Sequence, residues 1–247
     1  MNRFFVEKKN IGSGSIGIDR REDIHHIVKV LRVVRGEDLL ITDGEGGSYV
    51  ATLARIAARS LSLEIKEKRK VATRQEQGAL ISLACAIPKN APFEDIIDKG
   101  TQLGVTEIIP LITQRTLVRK ESFDKKEERR KRVMLSAAQQ SGVLFLPELH
   151  PCVGFFEFLP RVTSWDLCLL PNLSKNSQTL KSAVAHFKGK KILVMIGPEG
   201  DFSPEEVDAA LRAGCLGVTL GASVLRVDTA ALSVVSFLKL IFDNEKP

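Results

Sequence analysis

Four carboxylates, Glu199, Asp201, Glu205 and Glu206, crowd a stretch that opens with Gly197-Pro198-Glu199-Gly200 and holds no lysine or arginine as far as Glu206. It lies inside KILVMIGPEGDFSPEEVDAALRAG, where an apolar run breaks at the Gly-Pro-Glu-Gly turn and a helical pattern follows. A glycine-rich turn between strand and helix is a place where backbone can close on a nucleotide. Phosphate cradles there need a lysine after the last glycine, or the Gly-x-Gly-x-x-Gly spacing, and neither is present. Carboxylates at a helix start suit the helix dipole but repel a pyrophosphate. The chemistry that fits is the binding of a phosphate-free, positively charged nucleoside. S-adenosylmethionine, with its adenosine, sulfonium and ammonium groups, has that character. Gly197 and Gly200 would let main-chain groups approach it, and Pro198 would stiffen the turn. The turn alone leaves open a tight connection with no ligand.

A second chemical stretch is LGASVLRVDTAALSVV, from Leu220 to Val235. Asp228 or Thr229 can cap the helix that follows. Arg226 stands between Leu225 and Val227, and an arginine in apolar company needs a partner. That partner is a carboxylate, an RNA phosphate or negative charge developing on a substrate.

Both stretches need a scaffold that brings them together. Ser203 as N-cap, Pro204 at the first helical position and Glu206 closing a capping box predict a helix that stops at Gly214. From residue 79 on, apolar runs alternate with helical patterns. ALISLACAI, TEIIPLIT, DLCLLP, KILVMIG and GVTLG read as strands. The helices are a segment with Phe93, Ile96, Ile97 and Gly100 on one face, then DKKEERRKRVMLSAAQQSG, SQTLKSAVAHF, SPEEVDAALRAG and TAALSVVSFLKLIF. Five such repeats predict an open parallel α/β sheet covered on both faces. Residues 1–70 read differently, as short strands and turns. RFFVE, EDLLITDGEGGSYVATLARI and SLSLEIKEKRK surround one helix, EDIHHIVKVLRVVRG. In that helix Ile24, Ile27, Val28 and Leu31 form a buried face and Gly36 is the stop. The expectation is a small β-barrel with one helix, joined by a polar linker near residues 71–78.

Residues 1–73 carry 14 Lys+Arg against 10 Asp+Glu, and the rest 22 against 20. Most of the net +6 therefore sits in the first third, which points to a polyanionic partner for that part. An ordinary basic surface is the alternative. Cys85, Cys152, Cys168 and Cys215 are dispersed among apolar neighbours and share no metal-ligand spacing with the four histidines, so they read as buried free thiols. No apolar run is long enough for a membrane span, and the start lacks a secretory pattern. The expected location is the cytoplasm.

The motifs together resemble a known family. IGPEGDFSPEEV followed by LGASVLRVDTAAL, with RFFV, HHIVKVLR, DKGTQLGVTEIIPL and AAQQSG…PEL, is similar to the RsmE family of 16S rRNA (uracil-N3) methyltransferases in the SPOUT superfamily. The resemblance implies a PUA-like RNA-binding domain over 1–72. It implies a SPOUT methyltransferase domain with a C-terminal trefoil knot over 73–247. The knot loops would hold S-adenosylmethionine through Leu170, Pro171, Ile196, Gly197, Pro198, Glu199, Gly200, Leu220, Gly221, Leu225, Val227 and Thr229. Arg3, His25, Lys29 and Arg32 would face RNA. A homodimer acting on 16S rRNA within the assembled small subunit is implied as well. Where the family carries a second glycine, this chain has Asp201. Asp228 replaces glutamate, and Ser223 and Val143 stand at commonly basic positions.

Methylation of uracil N3 requires loss of the N3 proton, which leaves negative charge on the ring. Arg226 is the expected stabiliser of that charge. Asp228 is expected to orient Arg226 or take the proton, with Glu199 as a further candidate. Two other readings remain: a SPOUT enzyme modifying another RNA atom, and a non-catalytic RNA-binding assembly factor.

Overall fold

A computed structural model of the chain describes residues 1–89, 92–172 and 177–242. Contacts divide the chain into two units, Met1–Glu76 with Leu135–Leu146, and Gln77–Met134 with Pro147–Pro247. The linear reading assigned residues 135–146 to the second domain, but they cluster with the first. Residues 135–141 of this stretch are the last part of a continuous helix, whose sequence pattern gives no sign of a boundary.

In the first unit the strands are β1 (Arg3–Phe5), β2 (Ser15–Ile18), β3 (Asp38–Thr42), β4 (Gly47–Ile56) and β5 (Leu61–Val71), with one short helix, α1 (Arg21–His25). They form one five-stranded sheet in the order β1-β3-β4-β5-β2. β1 runs parallel to β3 and the other pairs are antiparallel. Leu61 and Leu63 of β5 are buried beside Leu53, Leu39 and Ile41, as period-two alternation requires. β2 escaped the sequence reading because its only apolar residues are Ile16 and Ile18. The turn between β3 and β4 is held by the Asp43 carboxylate, which accepts the Glu45 and Gly47 amides at 2.8 and 2.7 Å. This is the short-range bond that favours Asp in turns.

The expected helix after β2 is shorter than its pattern. α1 gives way to a π-type turn over His26–Val30, and Arg32 adopts a left-handed φ of 55° that ends the element before Gly36. Widening the helix shifts its buried face. Ile27 remains buried, Leu31 is 36% exposed, and Val33 is buried in the position expected for Leu31.

The second unit alternates as expected: β6 (Leu80–Ala86), α2 (Phe93–Gln102), β7 (Glu107–Ile112), α3 (Lys120–Asp124), α4 (Glu127–Ser141), β8 (Glu148–Leu149), β9 (Val153–Gly154), α5 (Phe155–Phe158), β10 (Leu167–Pro171), β11 (Gln178–Thr179), α6 (Leu180–Val184), β12 (Lys191–Ile196), α7 (Pro204–Arg212), β13 (Leu216–Thr219) and α8 (Val227–Phe242). The last residues of α4 belong to the first unit. All strands pair in parallel, in the order β11-β13-β10-β12-β6-β7-β8, with β9 also on β7. Successive residues of β6 go to opposite faces. Leu83 and Cys85 enter one apolar cluster with Val194 and Val234, and Ala84 enters another with Met195 and Phe158.

The charged segment before residue 141 forms one helix, α4, as expected, with the short α3 just ahead of it. Two expectations change. The helix expected over SQTLKSAVAHF begins as β11, and Thr179 Oγ1 then caps a short α6 by accepting the Ser182 amide at 3.1 Å. α8 starts at Val227, so Asp228 and Thr229 lie in its first turn instead of capping it. The Arg226 carbonyl accepts the Ala230 amide at 2.8 Å. All four cysteines are free and buried.

Candidate active site

β13, β10 and β12 are consecutive in the sheet and parallel, so their carboxyl ends open side by side. Ligands of open α/β sheets bind at this edge. The loops leaving these strands line a cleft of about 600 Å³, its open mouth included. Pro171, Ile196, Gly197, Pro198, Glu199, Leu220, Gly221, Leu225 and Val227 line it among the expected cofactor residues. So do Asn172, Asp201, Thr219, Ser223, Val224 and Ala230. Among the described residues its only ionisable lining groups are Glu199 and Asp201. The described lining is therefore carboxylate and main chain, with no cation for a phosphate.

The turn after β12 is tightly built. A Cβ on Gly197 would stand 2.9 Å from the Phe202 amide nitrogen, so only glycine fits without a shift. The Asp201 amide donates to the Pro198 carbonyl at 2.8 Å, and Asp201 has a φ of 62°. That backbone favours glycine, and aspartate is one of the few side chains that tolerate it. Its own Oδ1 accepts the Phe202 amide at 2.7 Å.

Ser203 and Glu206 form the expected capping box at the start of α7. Fully buried Glu206 does more, because its Oε1 accepts the Gln114 amide at 2.8 Å. Gln114 Nε2 reaches Glu205 at 2.9 Å, and the Arg115 guanidinium donates to the Gly200 and Phe202 carbonyls. The loop after β7 thus braces the turn. Nothing in its local pattern singled out Gln114 or Arg115. On the other side the Lys89 amide donates to Glu199 Oε1 at 2.8 Å, so Glu199 also pins the turn to the segment after β6.

Side-chain hydrogen bonds also hold the described residues that follow β13 and β10. The Thr219 hydroxyl donates to the Gly221 carbonyl at 3.2 Å and accepts its amide at 3.3 Å, and Gly221 has a φ of 119°. Buried Asn172 donates to the Leu170 carbonyl at 3.0 Å and accepts from the Ser177 hydroxyl at 2.7 Å.

Leu170 is fully buried and, like Gly200 and Thr229, lies outside the cleft lining. The alternation of β10 turns Leu170 into the core. Arg226 is exposed, and its side chain makes no hydrogen bond or ion pair among the described residues. Asp228 is half-buried, and its Oδ1 has no partner among them. The two do not pair, as expected for residues two apart at a helix start. Burial pushes the Cys85 thiol up, and the negative charges of Asp228 and Glu199 add to this. Both carboxylates therefore lie near the carboxyl end of β6.

In the first unit His25, Lys29 and Arg32 are exposed. Arg3 is half-buried: its guanidinium fills the place a Cβ on Gly142 would take, and its Nε has no partner. No group of metal-ligating side chains occurs among the described residues, nor any helix long and apolar enough to cross a membrane.

A model of the RNA methyltransferase domain matches residues 75–239, and a model of the RNA methyltransferase PUA domain matches residues 18–66. The chain is 30% identical to the ribosomal RNA small subunit methyltransferase E of Synechocystis, over 90% of this chain and 72% of that one. It is 28% identical to the Bacillus subtilis protein of the same name, over 96% of each. Among solved structures, the ribosomal RNA small subunit methyltransferase E of Neisseria gonorrhoeae, bound to S-adenosyl methionine, superposes with a TM-score of 0.85 at 27% identity, covering both chains fully. A Legionella pneumophila protein in complex with the bound cofactor SAM gives 0.84 at 29% identity, over 98% of each chain.

Proposed function

The chain belongs to the ribosomal RNA small subunit methyltransferase E family, the RsmE branch of the SPOUT enzymes, and we propose on that premise that it methylates N3 of a uridine in 16S rRNA with S-adenosylmethionine. The observation that carries the cofactor assignment is the cleft: three loops, rich in close main-chain approach, with two carboxylates and no cation among the described residues. Main chain at Ile196, Gly197, Pro198, Leu220 and Gly221 would hold the cofactor, with Pro171, Leu225 and Val227 as apolar walls. Bound there, S-adenosylmethionine supplies an electrophilic methyl carbon on a sulfonium.

Arg226, exposed and without a side-chain partner among the described residues, stabilises the negative charge left on the uracil ring when N3 loses its proton. Asp228 takes that proton, since its Oδ1 has no donor among the described residues to satisfy it. Glu199 is committed to the Lys89 amide and serves the turn rather than the chemistry. In the first unit exposed His25, Lys29 and Arg32, with Arg3, hold RNA through phosphate contacts. The reading extends to a knotted C-terminal segment, a homodimer, a cytoplasmic site of action and a substrate within the assembled small subunit.

Nucleoside mass spectrometry of small subunits incubated with the protein and S-adenosylmethionine tests the activity. The reading expects N3-methyluridine. A ribose-methylated nucleoside would move the chemistry to another RNA atom, and no methylation would leave an RNA-binding protein.

A further inference from the structure

A second cavity, of about 930 Å³ with its open mouth included, opens in the second unit between the segment after β6, α2 and the α3–α4 region. Its charged lining is Lys89, Lys126, Arg129, Arg130 and Glu94. Glu94 is engaged by Arg129 at 3.4 Å, so the cavity keeps a positive excess, opposite in sign to the cofactor cleft.

Arg130 is the unusual member. It is 3% exposed, its guanidinium stacks on the Phe123 ring at 3.6 Å, and one terminal nitrogen donates to the Phe123 carbonyl at 2.6 Å. Its Nε is buried without an acceptor, and no carboxylate pairs with it among the described residues. A guanidinium stays charged at any ordinary pH. Burial disfavours that charge, the carboxylates of Glu94, Asp124 and Glu127 offset only part of this, and an anion that completes it recovers more of the cost. The stacking and the hydrogen bond also fix the fork before any ligand arrives.

The cavity is tied to the methyl-donor site. The Lys89 amide, in the segment after β6 that lines this cavity, donates to Glu199, which lines the cofactor cleft. We infer that this cavity binds a backbone phosphate of the RNA substrate, held by Arg130 and Lys126 with Lys89 at the rim, and so places the strand beside the methyl donor. The inference rests on the reading of the chain as an rRNA methyltransferase. It adds a phosphate subsite on the catalytic unit itself, apart from the basic residues of the first unit.

The test uses full-length protein, unmethylated small ribosomal subunits, S-adenosylmethionine and inorganic phosphate. Lys126→Ala removes an exposed side chain, and Arg130→Gln removes the buried charge. Each should weaken binding to subunits about three- to ten-fold and lower the slope of log affinity against log salt by about 1. S-adenosylmethionine affinity should stay at the wild-type value in Lys126→Ala, which keeps the test valid if Arg130→Gln folds poorly. Wild-type subunit affinity and salt slope in Lys126→Ala would overturn the inference, with methylation by the wild-type protein still supporting the activity. Thermal stabilisation of wild type by millimolar phosphate, lost in the variants without any change in subunit binding, would make this a free-anion site and also overturn it. If wild-type protein neither bound nor methylated subunits, the activity itself would fall, and this inference with it.

Discussion

Arg226 stands at a helix start with its guanidinium in solvent and no protein partner among the described residues. Such a group costs little to hold and is free to meet charge that arises only during reaction. Arg226→Ala should lower kcat for methyl transfer by about 100-fold, with S-adenosylmethionine affinity unchanged by calorimetry. Full turnover would remove Arg226 from the chemistry. Gly197 is constrained in the opposite sense, because the Phe202 amide lies 2.9 Å from where its Cβ would be. Gly197→Ala should destabilise the fold by about 1–3 kcal/mol and weaken cofactor binding at least ten-fold. An unchanged dissociation constant would mean the turn is not part of the cofactor site. His150 lies elsewhere, 3.1 Å from Glu107, whose other oxygen accepts the Ser82 hydroxyl. The hydrogen bond to Glu107 raises His150 above its ordinary 6.5, and the same bond holds Glu107 below its ordinary 4.5. The histidine's contribution is complete below pH 6.5 and fades as pH rises through its higher folded value. The glutamate's is complete above pH 4.5 and fades as pH falls through its lower one. The pair thus contributes most between those limits. The melting-temperature gap between wild type and His150→Gln should be widest near pH 5.5 and shrink by pH 8.5. Since both groups are partly exposed, the gap should reflect no more than about 1 kcal/mol.

At the scale of elements, α7 carries the cofactor turn, and its first turn is where sequence and tertiary structure meet. Ser203, Pro204 and Glu206 are a local capping signal, and the structure contains it. The second use of Glu206, as acceptor for the Gln114 amide, comes from a loop far away in sequence. Glu206→Ala should therefore cost more than a cap, about 2–3 kcal/mol in urea unfolding, since it also strands a second amide. A loss no larger than an ordinary cap would show that the brace contributes nothing. This division explains what was legible. The five long strands, α2, α7 and the glycine turn declare themselves through periodicity and local backbone chemistry. Arg115 and Gln114 act only through contacts that folding creates, and β11 depends on pairing with β13. The π-type turn after α1 breaks a regular apolar spacing that reads as plain helix. Leu170 was assigned to the site by its place in a loop, whereas strand alternation turns it inward.

At the scale of the whole molecule, charge is divided by task. Among the described residues the cofactor cleft has carboxylates and no cation, while the first 73 residues carry most of the positive excess. Affinity for small subunits should therefore fall steeply between 50 and 200 mM salt, while S-adenosylmethionine affinity stays nearly flat. A flat response of subunit binding would remove electrostatics as the RNA grip. The family's domain order agrees with this division, the PUA match covering residues 18–66 and the methyltransferase match residues 75–239. Everything proposed for the reaction depends on what enters the space beyond β10, β12 and β13. Calorimetric titration of the wild-type protein with S-adenosylmethionine and, separately, with ATP addresses it most directly. Saturable one-site binding of the sulfonium nucleoside and no heat from the triphosphate is the predicted result; uptake of ATP by a protein indifferent to S-adenosylmethionine would contradict it.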